Sequence, residues 1–189
     1  WLYAGTGDYE RIGNTSNGTD NLMIGIRDPH YPEYRDVAVP KKAADLTKCK
    51  NTTKDKKGNK CPTSTDTGWY IKLDKSQKVT AEPTVSSGLV YFPIYQPTSS
   101  VNKCSLGDAF ICGVDDECGT NFSSKLKNLR RGDTCKYVGQ GVLSKIVVFA
   151  GKLFANIAGQ SAGSIKDLVS IEAAAGGTSS YRSSWRQNY

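Results

Sequence analysis

Two stretches of this chain fall over one another when the sequence is slid along itself by 63 residues. Thr80–Tyr91 then lies on Leu143–Phe154. Each copy reads as a short strand, a two-residue turn ending in glycine (Ser87-Gly88 and Ala150-Gly151), and a second strand. A glycine at that place suits a tight hairpin turn, where the backbone takes positive φ. Self-similarity of this kind constrains a fold more than composition does. One hairpin cannot bury its apolar face alone, so each unit has to be covered by a neighbouring one.

The alternation of apolar and polar residues runs at the period of strands, not helices. Strands are predicted at Leu2–Thr6, Leu22–Asp28, Trp69–Asp74, Thr84–Ser86, Leu89–Tyr95, Ala109–Asp115, Ile146–Ala150, Leu153–Ala158, Leu168–Ala173 and Arg182–Gln187. Ser124–Leu129 carries the single weak helical pattern. The expected class is all-β, with four-stranded antiparallel units in series. Such units are the blades of a β-propeller, at about 1–75 (lacking a first strand), 79–138 and 142–188. The whole chain, 1–189, then reads as part of one propeller domain. Three blades form an incomplete ring, because propellers close with roughly 4–8. Other segments or other chains must complete it, and the Trp1–Thr6 region is expected to be covered by them. No charged-then-apolar leader precedes Trp1-Leu2-Tyr3, so a processed or partial product of a longer chain is expected.

Charge is concentrated rather than spread. Between residues 41 and 60 eight lysines stand against Asp45 and Asp55, most of the net +7 of the chain. No aromatic residue lies between Arg35 and Asp66, whereas a nucleic-acid groove interleaves bases with aromatic rings. The segment reads as a solvated lysine loop with attraction to anionic surfaces, and nucleic acid is not an expected partner. Apolar residues make up 38% of the chain, and no run approaches the ~20 residues of a membrane span.

The strings Gly68-Trp69-Tyr70-Ile71-Lys72-Leu73-Asp74 and Lys78-Val79-Thr80-Ala81-Glu82-Pro83-Thr84-Val85 are followed by Val90-Tyr91-Phe92-Pro93-Ile94-Tyr95-Gln96-Pro97. In that order they resemble the C-terminal propeller of PilY-type type IV pilus proteins. Tyr3-Ala4-Gly5-Thr6-Gly7-Asp8-Tyr9, Leu22–Asp28, Cys104 with Ala109–Asp115, and Arg182-Ser183-Ser184-Trp185-Arg186 are similar to further strings of that family. The resemblance implies a bacterial protein at the cell surface, at a pilus tip or the outer membrane, acting in adhesion and pilus assembly. It implies pilins or minor pilins as partners, with a host or surface ligand. The family's calcium loop, with aspartate at alternating positions, is not present in the sequence.

Chemistry-bearing residues are few. The single histidine, His30, sits between Pro29 and Pro32, and no Gly-x-Ser-x-Gly elbow occurs, so no hydrolytic triad is expected. No cofactor and no enzymatic activity are expected. The alternatives are a self-assembling or complemented subunit of an extracellular filament, and a quinone- or metal-dependent propeller enzyme. Asp115, Asp116 and Glu117 offer oxygen ligands of the kind calcium takes. Successive side chains on a strand alternate, so a turn is required to bring even two of them to one ion. Arg131-Gly132-Asp133, beside Cys135, is a candidate receptor-binding tripeptide, and the 41–60 and 119–137 segments are the expected recognition surfaces. The sequons at Asn14, Asn17, Asn51 and Asn121 are read as loop polarity.

Six cysteines with one histidine point to three disulfides rather than zinc, and so to an oxidising compartment. Cys49 and Cys61 bracket the lysine-rich insertion and are expected to pair. For the rest, Cys118–Cys135 with Cys104–Cys112 is favoured. Cys112–Cys135 is the competing arrangement, since neighbouring antiparallel strands can set them opposite each other.

Overall fold

The computed structural model describes residues 1–8, 10–15, 20–28, 47–48, 67–73, 76–98, 106–119, 135–159 and 168–173. These form three sheets and, among the described residues, no helix. The first sheet takes β1 (Leu2–Gly5), β2 (Leu22–Ile26), β3 (Thr47–Lys48) and β4 (Gly68–Lys72), in the order β1-β2-β4-β3. The second takes β5 (Lys78–Val79), β6 (Thr84–Ser86), β7 (Leu89–Gln96), β8 (Asp108–Asp115) and β9 (Cys135–Gln140). The third takes β10 (Val142–Leu143), β11 (Val147–Phe149), β12 (Lys152–Ala158) and β13 (Leu168–Glu172).

The 63-residue repeat is visible in the strand registers. Thr84, Val85 and Ser86 face Tyr91, Val90 and Leu89, while Val147, Val148 and Phe149 face Phe154, Leu153 and Lys152. Both turns are of the same mirror-image type. Ser87 and Gly88 have φ of 54° and 74°, and Ala150 and Gly151 have 48° and 73°. Positive φ at both central residues matches the twist of the flanking strands. In both units the first strand is broken in two, β5 with β6 and β10 with β11, and both pieces pair with the strand that follows. The break follows from Pro83 in one copy; in the other Lys145–Ile146 leaves the ladder, and Ile146 turns into the core.

Equivalent units stack, and residues 63 apart touch. The Thr80 hydroxyl donates to the Leu143 carbonyl at 3.2 Å, and Lys145 Nζ meets Glu82 Oε2 at 2.6 Å. The middle sheet is covered on both faces. Val90, Phe92, Ile94, Cys112 and Val114 pack against Met23, Trp69 and Ile71 of the first sheet. Leu89, Tyr91, Ala109 and Ile111 pack against Leu143, Ile146, Leu153 and Ala155 of the third. That is why β7 reads as the near-continuous apolar run LVYFPIYQ: with neighbours on both sides, no position is left for solvent. Lys78 is buried in this stack, and its ammonium donates to the Asn14 carbonyl at 2.9 Å and the Ser76 carbonyl at 3.2 Å.

Nine of the ten expected strands are found within a residue or two, and Arg182–Gln187 lies outside the described residues, as does Ser124–Leu129. Two features depart from uniform antiparallel blades. β3 pairs with β4 in parallel, and the described residues form no closed ring. The short strands β3, β5 and β10 escape the alternation pattern because two residues carry no period. β9 escapes it because the half-buried positions of Cys135–Gln140 are interrupted by exposed Tyr137 and Gln140, a spacing without the period of two.

Candidate functional site

The connection between β8 and β9 takes up residues 116–134, and the described stem on either side of it is tightly built. β8 ends in a turn at Asp115–Gly119. The Asp115 carboxylate accepts the backbone N–H of Glu117 at 3.1 Å and of Cys118 at 3.0 Å, and its own carbonyl accepts from Gly119 at 2.8 Å. Asp116 donates its N–H to Gly88, which ties the turn to the first hairpin. Its carbonyl accepts twice from the first sheet, from Tyr3 Oη at 3.1 Å and from Trp69 Nε1 at 2.9 Å. Buried aromatics of this kind bring an apolar body and a polar tip that needs a partner. Here both tips converge on one carbonyl.

Trp69 can reach that carbonyl because its ring lies over Gly25, where a Cβ would come within 2.5 Å of the indole. Tyr3 stacks on Trp1 with centroids 6.3 Å apart, and meets Trp69 at 6.1 Å with a tilt of 38°. The tyrosine hydroxyl is held well above its ordinary value, first by burial and then by the charges of Asp116, Glu117 and Asp115. It therefore stays a donor.

The other side of the stem is a disulfide, Cys112–Cys135, with an S–S distance of 2.05 Å. This corrects the favoured pairings Cys118–Cys135 and Cys104–Cys112. Cys112 and Cys135 are direct partners in the β8–β9 register, whereas Cys118 lies beyond the end of β8, past Asp115. From Cys112 to Asp115 alone the strand rises about 10 Å, too far for a side chain beside Cys118 to reach Cys135. Cys118 is itself disulfide-bonded, to a cysteine outside the described residues. Cys49, Cys61 and Cys104 lie there too, so Cys49–Cys61 is neither seen nor contradicted. A disulfide persists in oxidising compartments and accords with a secreted or extracellular protein.

The structure thus holds Asp115, Asp116 and Glu117 at one turn, but employs the Asp115 carboxylate as a cap for two backbone N–H groups. Among the described residues no group of three histidine, cysteine, aspartate or glutamate side chains is placed to hold a metal ion. Arg131, Gly132 and Asp133 lie outside the described residues, as do His30 and the 41–60 lysines apart from the backbone of Thr47–Lys48. Sequence reasoning missed Tyr3 and Trp69 as the groups that anchor the stem. The available signal was their type: an aromatic with a polar tip, at an apolar position of a strand.

No helix among the described residues is long and apolar enough to cross a membrane. No protein-family model, no curated protein and no solved structure matches the chain.

Proposed function

We propose that the chain is a structural and adhesive segment of an extracellular, pilus-associated protein of PilY type, part of a β-propeller whose sheets carry recognition loops. The observation behind this reading is the stem of the β8–β9 connection. A cross-strand disulfide on one side and a turn clamped by Tyr3 and Trp69 on the other hold the ends of a long polar segment. Rigid scaffolds that present long connections in this way are the usual architecture of recognition surfaces. The head-to-tail stacking of equivalent units supports the propeller part of the reading, and the order of the motifs supports the pilus part. No reaction is assigned.

The test is retention of purified type IV pilus filaments on the immobilised protein. A second arm replaces residues 120–134 with a short Gly-Ser bridge that leaves Cys112–Cys135 in place. Retention that falls at least tenfold in the bridged protein supports the reading. Equal retention by both proteins rules out this connection as the recognition surface, and no retention by either sinks the pilus assignment.

A further inference from the structure

The face of the middle sheet that packs on the first sheet changes character along its length. Strand register fixes which side chains share it, because directly opposed residues project to the same side. Phe92, Cys112 and Cys135 form one row, with the disulfide inside it. The next row, two residues along, is Val79, Ile94, Phe110 and Tyr137. Beyond it Gln96 faces Asp108 and Asp108 faces Gln140, while Gln77 Nε2 donates to Gln96 Oε1 at 3.0 Å. With Gln77 at the entry to β5, the four strands bring three carboxamides and one carboxylate into a single row.

A bulge puts the last member of that row in place. Residues three apart on a regular strand project to opposite sides, so Gln140 would turn away from Tyr137. The irregularity between Ala109 and Phe110 leaves Val138 out of the pairing and returns Gln140 to the face of Tyr137. Val138 itself packs with the third-sheet cluster. Re-aiming a side chain in this way is a recurrent use of bulges beside functional sites.

The two outer rows offer different chemistry. Tyr137 is 51% exposed, and an edge contact with Phe110 holds its ring, with centroids 5.7 Å apart and planes at 68°. The ring is thus fixed while half of the residue stays in solvent. In the polar row Gln96 and Asp108 are half-buried and Gln140 is exposed. A carboxamide both donates and accepts hydrogen bonds, and a carboxylate only accepts. The two rows lie about 7 Å apart along the strands, and the polar one crosses three strand spacings, about 14 Å.

We infer that this shelf binds a neutral oligosaccharide. The C–H face of one sugar ring lies on Tyr137, and its hydroxyls, which donate and accept, bond to Gln96, Asp108 and Gln140. The Asp108 carboxylate sets the charge preference, since it takes hydroxyl protons and repels an anionic sugar. The inference does not rest on the pilus reading, because the register that assembles the shelf holds whatever the protein's role.

The test is titration of the intact, oxidised protein with maltotriose, cellotriose and mannotriose, followed by amide chemical shifts, with trigalacturonate as the anionic control. At least one neutral trisaccharide is expected to move the Tyr137 and Gln140 resonances and to leave that of Phe149 in place. Tyr137→Ala should weaken this binding roughly tenfold, whereas Tyr137→Phe, which keeps the ring, should stay within about twofold of the parent. Gln140→Ala, at an exposed position where folding is not at stake, should weaken it about fivefold. Unmoved resonances with all three neutral sugars would overturn the proposal. So would trigalacturonate binding as tightly as they do, or a Tyr137→Ala protein that binds like the parent. Retention of pilus filaments is read separately, so either reading falls without the other.

Discussion

At the residue scale the Asp116 carbonyl is the point on which the stem turns. It is reached by Tyr3 and Trp69 from another sheet, and it fixes the last turn of β8 before the chain departs. Replacing Tyr3 with Phe removes one of two donors, and should cost about 0.5–1.5 kcal/mol at neutral pH. Its pH signature is more specific. An unfolded tyrosine ionises near 10.0, while in the fold burial and the neighbouring carboxylates hold Tyr3 well above that. Its contribution is thus fully present below pH 10 and is lost as the pH climbs beyond it, since only the unfolded state then releases the proton. Urea midpoints recorded from about pH 8 to pH 11 should fall less steeply above pH 10 in Tyr3→Phe than in the parent. Parallel alkaline limbs would contradict this. The cysteines act at the same scale. Converting both Cys112 and Cys135 to Ala should lower stability by about 3 kcal/mol, the loop-closure value for a separation of 23 residues. A loss under about 1 kcal/mol in denaturant titration would show that the stem holds without its bridge.

At the element scale the two hairpins show how much a turn can impose. Ala150 sits at φ 48°, where an L-residue with a Cβ is disfavoured and Asn is better tolerated. Ala150→Asn should stabilise the protein by about 0.5–1 kcal/mol, which corresponds to a rise in melting temperature of roughly 1–4 °C. An unchanged or lower melting temperature would mean that the turn is held by the strands and not by its own preference. The turn positions and the paired strands were readable in the sequence, because positive φ and period-2 alternation are local properties. β9 was not. Its residues are half-buried except for exposed Tyr137 and Gln140, with no alternation, since its value to the fold lies in its edge pairing and in Cys135, and neither leaves a period. β5 and β10 were hidden for another reason: two residues are paired only because a neighbouring strand is already in place.

At the scale of the whole molecule the middle sheet is the core, because among the described residues it is the sheet with packed side chains on both faces. A truncation there should cost far more than one on an outer face. Phe92→Ala, at a side chain 1% exposed, is expected to lose about 3–5 kcal/mol. Phe149→Ala, at one 71% exposed, should fall within about 0.5 kcal/mol of the parent. Urea unfolding of the two variants checks the stack directly, and similar losses would refute it. The all-β class, the repeat and its turns follow from spacing and residue type, which any chain with this sequence carries before it folds. So does the placing of Cys112 on a strand and Cys135 near one. The choice of Cys135 over Cys104 as the partner of Cys112 does not, because it depends on a register between strands separated by a long connection. Nor does the meeting of Tyr3 and Trp69 on the Asp116 carbonyl, 113 and 47 residues away along the chain. Local preference cannot encode those contacts. They exist because one sheet, packed face to face on the next, brings its polar tips to whatever carbonyl the neighbour leaves open.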